Sequence, residues 1–311
     1  MVIGNNMNDI VTDVKSLELE TIRNLKNSKS NNTVRAYDSD FKHFRLFCIK
    51  NGLNALPTEP KILSLYLTHM SKISKFSTLK RRIASIKVVH KIKGHYLDTK
   101  HPIIIENLLG IKRINGSRQI AKKPLLINSL KLILKAIDKH ENKEFKKIRD
   151  KSLLLLGFSG GFRRSELVSI EYEDLEFVNE GLKIFIKRSK TDQIGEGSIK
   201  GIPYFKNSEY CPVIKLKEWI EYFKINKGKI FNISDKSVSL IIKKYASLSG
   251  LDPNMYGGHS LRSGFATSAA EAGAEERNIM AMTGHKTTQM VRRYIQEANL
   301  FKNNALNKIK I

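Results

Sequence analysis

The sequence predicts a mainly α-helical protein with one small three-stranded antiparallel sheet, divided into two domains. Three observations lead there. Apolar residues recur at spacings of three and four through most of the chain, the mark of amphipathic helices. The period changes to two only around residues 175–204. One basic stretch with Gly, Ser and Pro and little periodicity, residues 115–124, follows a strongly cationic N-terminal part. The expected domains are therefore residues 1–114 and 125–311, joined by that linker.

The elements follow in order. Residues 17–50 read as helix, with Asn31, Asn32 or Thr33 placed to cap the run TVRAYDSDFKHFRLFCIK. Tyr37, Phe41, Phe44 and Cys48 line one face of it, and Asn51-Gly52 ends it. LPTEPKILSLYLTHMSKI gives a second helix, with Pro60 near its first turn. Ser77 or Thr78 begins a third, STLKRRIASIKVVHKIKG, closed by Gly94. Its Leu79, Ile83, Ile86 and Val89 or His90 face one way, while Lys80, Arg81, Lys87 and Lys91 lie off that stripe. HPIIIENLLGIKRI is a short fourth helix. In the second domain INSLKLILKAIDKH and KIRDKSLLLLGFSGG are helical, and residues 165–172 continue as helix. LEFV and LKIFIKRSK flank Asn179-Glu180-Gly181, a hairpin signature. GSIKGIPYF supplies a third strand across the loop TDQIGEG. From Val213 onward the chain is helical, apart from a loop at Asp252-Pro253.

Composition narrows the function. The 311 residues hold 55 Lys and Arg against 30 Asp and Glu, a formal charge of +25. Residues 21–123 hold 22 basic and 5 acidic side chains, a net of +17 that calls for a polyanionic partner, DNA or RNA. Candidate contacts are Arg35, Lys80, Arg81, Lys87, Lys91, Lys112, Arg113, Arg118, Lys122 and Lys123. A hydrophobic share of 41% excludes disorder as the main state. No apolar run approaches the ~18 residues of a membrane helix, and the N-terminus lacks the pattern of a signal peptide. Cys48 and Cys211 are the only cysteines, which excludes a disulfide framework and a cysteine zinc site and fits a reducing cytosol. No GxxxxGK[ST] phosphate loop and no HExxH spacing occurs, so neither a nucleotide nor a metal cofactor is expected.

Four segments of the second domain carry chemistry. In Gly160-Gly161-Phe162-Arg163-Arg164-Ser165-Glu166-Leu167 a Gly turn presents an arginine at a helix start, an anion-binding arrangement. Ser189-Lys190-Thr191-Asp192 puts a lysine at the tip of the second hairpin. In Gly257-Gly258-His259-Ser260-Leu261-Arg262, His259 and Arg262 are three apart and share a helical face. Thr283-Gly284-His285 is followed by Arg292-Arg293-Tyr294. His285 and Tyr294 are nine residues apart and would point to opposite sides of one unbroken helix. They converge only if Gly284 ends one helix and Thr287 or Thr288 caps the next.

This ordered pattern resembles the tyrosine recombinase (phage integrase) family over nearly the whole chain. GGFRRSEL resembles the family's first arginine box, SKTD its hairpin lysine, and GHSLRSGFATSAAEAGAEERNIMAMTGHKTTQMVRRYI its His-x-x-Arg, Gly-His and tyrosine boxes. NTVRAYDSDFKHFRLFC and TLKRRIASIKVVHKIKG resemble its helical core-binding domain. The resemblance implies a SAM-like N-terminal core-binding domain and a C-terminal catalytic domain. It implies a site-specific recombinase that cleaves and rejoins DNA through a 3′-phosphotyrosyl intermediate, without metal or ATP, for integration, excision or recombination of a mobile element. The implied catalytic residues are Arg163, Lys190, His259, Arg262, His285 and the nucleophile Tyr294. Arg163 and Arg262 would bind the scissile phosphate, His259 would accept the tyrosine proton, and Lys190 would protonate the leaving 5′-oxygen. His285 would bond the phosphate or position the tyrosine, and Glu166 would orient a catalytic arginine or histidine. Arg164 stands where many relatives carry an aliphatic residue, so the direction of each arginine of the pair is open.

The family implies a homo-tetramer on two paired duplexes, with accessory recombination proteins as further partners, in the cytoplasm of a bacterium at the nucleoid. A stretch of about twenty residues, net acidic, before the helical domain favours the Xer- or Cre-like two-domain layout over one with an extra arm-binding domain. The tail EANLFKNNALNKIKI, with Leu300, Phe301, Leu306 and Ile309, is expected to dock on a neighbouring protomer. Two other readings keep the fold: a non-catalytic DNA-binding accessory protein, and a type IB topoisomerase-like enzyme that relaxes DNA as a monomer.

Overall fold

The computed structural model describes residues 30–116, 121–187 and 197–299, with residues 16, 17, 19, 20, 23, 301 and 305–309 besides. Lys190, Arg118 and Leu300 lie outside the described residues. The chain forms two compact units, Met1–Gln119 and Ile120–Ile311.

In the first unit Ser30 is extended and its hydroxyl accepts the Thr33 amide at 3.4 Å, so α1 (Asn31–Lys50) begins there. Residues 16, 17, 19, 20 and 23 are also helical, and the stretch read as helix over 17–50 starts afresh after the extended Ser30. The cap is thus one residue ahead of the three candidates. α2 (Pro60–Ser71) has proline in its first turn. α3 (Phe76–Ile92) starts earlier than Ser77 or Thr78 because Phe76 enters the helix and packs on the core; Lys75 is the extended residue before it. α4 (Pro102–Asn115) is capped by the His101 ring, which accepts the Ile103 amide at 3.3 Å. The four helices bury Phe44, Cys48, Leu63, Tyr66, Leu67, Met70, Leu79, Ile86, Ile104 and Ile111 in one core. Phe44 and Cys48 of α1 and Leu79 and Ile86 of α3 lie on the apolar faces that the spacing predicted.

His90 completes the stripe of α3 in an unusual way. It is fully buried, its Nδ1–H donates to the Ile86 carbonyl at 2.8 Å, and its Nε2 accepts the Thr58 amide at 3.1 Å. Burial lowers its pKa, with His95 acting the same way and the Ile86 bond opposing it. Below the unfolded-state value of ~6.5 the unfolded chain takes up a proton that the folded ring resists, so stability falls as pH drops through that value toward the lower folded one. Urea melts at about pH 7 and about pH 5 should show this loss, and it should shrink in His90→Gln; an equal loss in the variant would assign it to other groups.

In the second unit, the Lys123 amide donates to the Met255 carbonyl and the Leu125 amide to that of Ser260, both at 2.8 Å, so this end of the basic stretch is fixed to its own unit. α5 (Ile127–His140) and α6 (Glu144–Ser159) follow, then α7 (Arg164–Ser169). The helix expected over 165–172 stops at Ser169 because Ile170 is buried and extended. Its carbonyl takes the Ile230 amide at 3.0 Å, and the Tyr172 amide reaches Gly228 at 2.7 Å. A tertiary pairing thus overrides the local helical pattern. β1 (Leu175–Val178), β2 (Gly181–Ile186) and β3 (Ser198–Pro203) form an antiparallel sheet in that order. Val178 pairs with Gly181, so the first hairpin turns on Asn179-Glu180 alone. Leu182, Ile184 and Ile186 face the core, and so do Lys200 and Ile202 from β3. α8 (Pro212–Phe223), α9 (Asp235–Leu248), α10 (Ser260–Glu271), α11 (Glu276–Thr283) and α12 (Thr288–Ala298) complete the unit. Among the described residues no helix is long and apolar enough to cross a membrane.

Candidate active site

The site is built where α6, α7, α10 and the α11–α12 connection meet. α6 ends at Gly160, and Gly161 takes a φ of +54°, a left-handed turn that suits glycine. The turn brings Arg163 to the N-cap of α7. There Glu166, 4% exposed, holds it twice: one carboxylate oxygen accepts the Arg163 amide at 2.9 Å, the other its Nη1 at 2.5 Å. Glu166 is therefore a buried brace for Arg163. Nη2 of Arg163 reaches the Gly284 carbonyl at 3.4 Å. Arg164 goes elsewhere. Its stem runs across Gly258, where a Cβ would lie 1.7 Å from Arg164 Cδ, and its guanidinium is 3.8 Å from Asp235. Glu166 and Gly258 together settle which arginine points inward. α7 has only six residues, so the guanidinium, more than the helix terminus, supplies the positive charge of this corner.

Arg262, in the first turn of α10, is 1% exposed. Its Nη1 donates to the Gly161 carbonyl at 2.9 Å, while Nε and Nη2 have no hydrogen-bond partner among the described residues. Burial, then the Arg163 charge, draws its pKa down to about 10, with Glu166 and Tyr294 opposing. An arginine sealed in protein with two idle donors is costly unless an anion completes it.

Ala266, Ala270, Ile279 and Val291 form a small core between α10, α11 and α12, and Tyr294 packs on it half-buried. The phenol oxygen lies 3.4 Å from His259 Nε2. The protein around the His259 ring, then Arg262, Arg163 and Arg164, lower its pKa, which favours the neutral ring near neutral pH. Gly284, at φ +61°, ends α11, and Thr287 is the N-cap of α12. The helix breaks between His285 and Tyr294, and their rings come to 6.0 Å, tilted by 34°. Burial, with the charges of Arg262 and Arg163 next, pulls His285 down to about 4. Thr283 Oγ1 is 2.6 Å from the Ile279 carbonyl and 2.7 Å from His285 Nδ1. The carbonyl can only accept, so the hydroxyl donates to it and receives Nδ1–H; this assigns His285 Nε2 as an acceptor.

Arg163, His259, Arg262, His285, Tyr294 and Glu166 are thus brought together; the segment holding Lys190 is not described. Sequence reasoning missed Lys200. Its amine donates to the carbonyls of Gly160 at 2.8 Å and Met282 at 2.5 Å. The available signal was the strand alternation of GSIKGIPYF, which puts Lys200 on the inward face with Ile202. Among the described residues no group of three His, Cys, Asp or Glu could hold a metal ion. Of the basic residues suggested for DNA, Arg35, Lys80, Arg81, Lys87, Lys91, Lys112 and Arg113 are exposed on the first unit, and Lys122 and Lys123 on the second. Some also serve the fold: Arg81 pairs with buried Asp40 at 2.9 Å, Lys80 lies 5.2 Å from the Phe76 ring centre, and the Lys122 amine meets the Asn254 carbonyl.

Comparison with known proteins matches residues 125–300 to the phage integrase family. The chain is 40% identical to an integrase/recombinase xerD homolog of Selenomonas ruminantium, over 94% of this chain and 89% of that protein. It is 31% identical to a tyrosine recombinase of Agathobacter rectalis, over 76% and 77% of the two chains. Among solved structures it resembles the XerH recombinase in a post-cleavage complex with palindromic difH substrate, with a TM-score of 0.61, 18% identity and coverage of 80% and 73%. A lambda integrase dimer bound to a COC′ core site also scores 0.61, at 16% identity, covering 97% and 100%. At these identities the structures speak for the fold alone.

Proposed function

The chain belongs to the phage integrase family, as a tyrosine-type site-specific recombinase, and from that premise we propose that it cuts and rejoins double-stranded DNA through a 3′-phosphotyrosyl bond to Tyr294. The observation that carries this reading is Arg262, a buried guanidinium with two donors unpartnered among the described residues, in the site of a tyrosine whose hydroxyl meets a histidine with a lowered pKa. A phosphodiester oxygen pair is the anion that such a group fits.

Each residue then has a task. Arg262 and the braced Arg163 hold the non-bridging oxygens, where charge builds in the transition state. His259 accepts the phenol proton as Tyr294 attacks phosphorus; without that help a phenol of ordinary pKa ~10 stays protonated near neutrality. The P–O5′ bond breaks, and the leaving oxygen takes a proton from Lys190. His285, neutral and with Nε2 as an acceptor, positions the tyrosine. The phosphotyrosyl bond keeps the energy of the broken diester, so attack by a 5′-hydroxyl rejoins the strand with no nucleotide triphosphate. The exposed cations of the first unit would track the backbone of the duplex, with affinity falling steeply as salt rises.

On the same reading the protein acts on a mobile element as a tetramer on two duplexes, with accessory proteins, at the nucleoid in a bacterial cytoplasm. Phe301, Leu306 and Ile309 are exposed in the single chain, which supports docking of the tail on a neighbour. The test is incubation with nicked duplexes from the flanks of the gene's own element. A covalent adduct that survives detergent and yields phosphotyrosine is the expected result. Binding with no adduct on any such duplex would favour the accessory-protein reading, and relaxation of site-free plasmid the topoisomerase one.

A further inference from the structure

We propose that Lys200 is a positioning residue for strand cleavage: its ammonium locks the Arg163 turn to the His285 loop and adds a fixed charge beneath the phosphate site. The proposal rests on the phosphotyrosyl reading above. Lys200 is on β3, opposite Ile184, and is 7% exposed. Its ammonium is 4.5 Å from the Phe162 ring centre, and two of its protons go to carbonyls far apart in the chain, Gly160 and Met282. Both carbonyls stand next to functional backbone. Gly160 precedes Gly161, whose carbonyl receives Arg262, and the turn continues to Arg163. Met282 precedes Thr283, which holds His285 Nδ1, and Gly284, whose carbonyl receives Arg163. One side chain therefore spans the two stretches that set the relative placement of Arg163, Arg262 and His285.

The charge matters as well as the clamp. Burying an ammonium is expensive, and an uncharged donor could bridge two carbonyls at less cost. Burial, which dominates, and the Arg262 and Arg163 charges bring the Lys200 pKa down to about 8, against the pull of Glu166. Lys200 in turn contributes to the lowered pKa of His285. As pH rises through about 8, the amine loses its charge but keeps two N–H groups for the two carbonyls. The clamp survives this deprotonation and the electrostatic contribution does not.

The experiment follows single-turnover cleavage of a nicked duplex carrying the cognate site, between about pH 6.5 and 9.5, for wild type, Lys200→Met and Lys200→Arg. Wild type should show a fall in rate on the alkaline side. Lys200→Met should cleave about 10–100-fold more slowly at neutral pH, as when a supporting partner of a site is lost, with DNA affinity unchanged. It should lack the alkaline fall. Lys200→Arg, charged throughout this range, should recover most of the rate and also lack the fall. Amide exchange at Gly161–Arg163 and Thr283–His285 gives a readout that needs no cleavage, and it should quicken in Lys200→Met. Unchanged exchange, or a fall centred near pH 8 that persists in Lys200→Met, would overturn the assignment. A wild type that forms no adduct while exchange still quickens in Lys200→Met would retain the clamp and remove the phosphotyrosyl reading instead.

Discussion

Tyr294→Phe should abolish the covalent adduct while leaving the fold and DNA binding as they are. The ring of Tyr294 packs half-buried on the small core of Ala266, Ala270, Ile279 and Val291, and phenylalanine fills the same space. The hydroxyl contributes the 3.4 Å contact to His259 Nε2, which is long for a hydrogen bond. Its loss should change stability by about 1 kcal/mol or less. Chemistry has no such margin, because no other oxygen replaces the nucleophile. Losing a nucleophile that acts as a unit with its neighbours has cost about 10⁶ in rate in a well-studied protease, which would put cleavage below detection here. Denaturing gels of the trapped complex, beside a thermal melt and a gel shift on the same duplex, separate the three effects. An adduct that persists in Tyr294→Phe would move the nucleophile to another residue. His259→Gln should be milder, since it removes the proton acceptor and leaves the attacking oxygen in place.

The features legible in the sequence are those set by local spacing. The helices and their apolar faces follow from three-and-four periodicity, and the break at Gly284 that lets His285 meet Tyr294 follows from a glycine before a pair of threonines. What was not legible depends on partners distant along the chain. Arg163 and Arg164 are adjacent and chemically identical, so only the buried Glu166 carboxylate and the open space over Gly258 decide which one faces the site. Lys200 reads as one lysine among many until its carbonyl partners arrive from 40 and 82 residues away. The early end of α7 has the same origin, since Ile170 gives its carbonyl to Ile230 in place of the next helical turn.

Arg262→Met should produce the opposite pairing of effects from a core mutation: a very large loss of activity with little or no loss of stability. A catalytic arginine that stabilises phosphoryl transfer is worth about 10³–10⁵ in rate, and two idle donors on Arg262 are placed to supply that. In the free protein the same group is a burden. Its pKa, drawn down to about 10 mainly by burial, means that folding disfavours its charged form. That cost is present throughout the pH range below the folded value, which includes neutrality, and it goes when the charge goes. Methionine would strand one acceptor, the Gly161 carbonyl now bonded at 2.9 Å, at a cost of about 1–3 kcal/mol. Relief of a buried charge by an apolar residue of similar length is worth about 1–4 kcal/mol. The two nearly cancel, so the melting temperature should hold or rise while single-turnover cleavage collapses. Arg262→Lys sharpens the test, because it keeps a positive charge and loses the fork that grips two oxygens. It should stay folded and cleave far more slowly than wild type. A steep drop in melting temperature for both variants would instead make Arg262 a structural support of the Gly161 turn, since a guanidinium kept for a transition state leaves its mark on the rate alone.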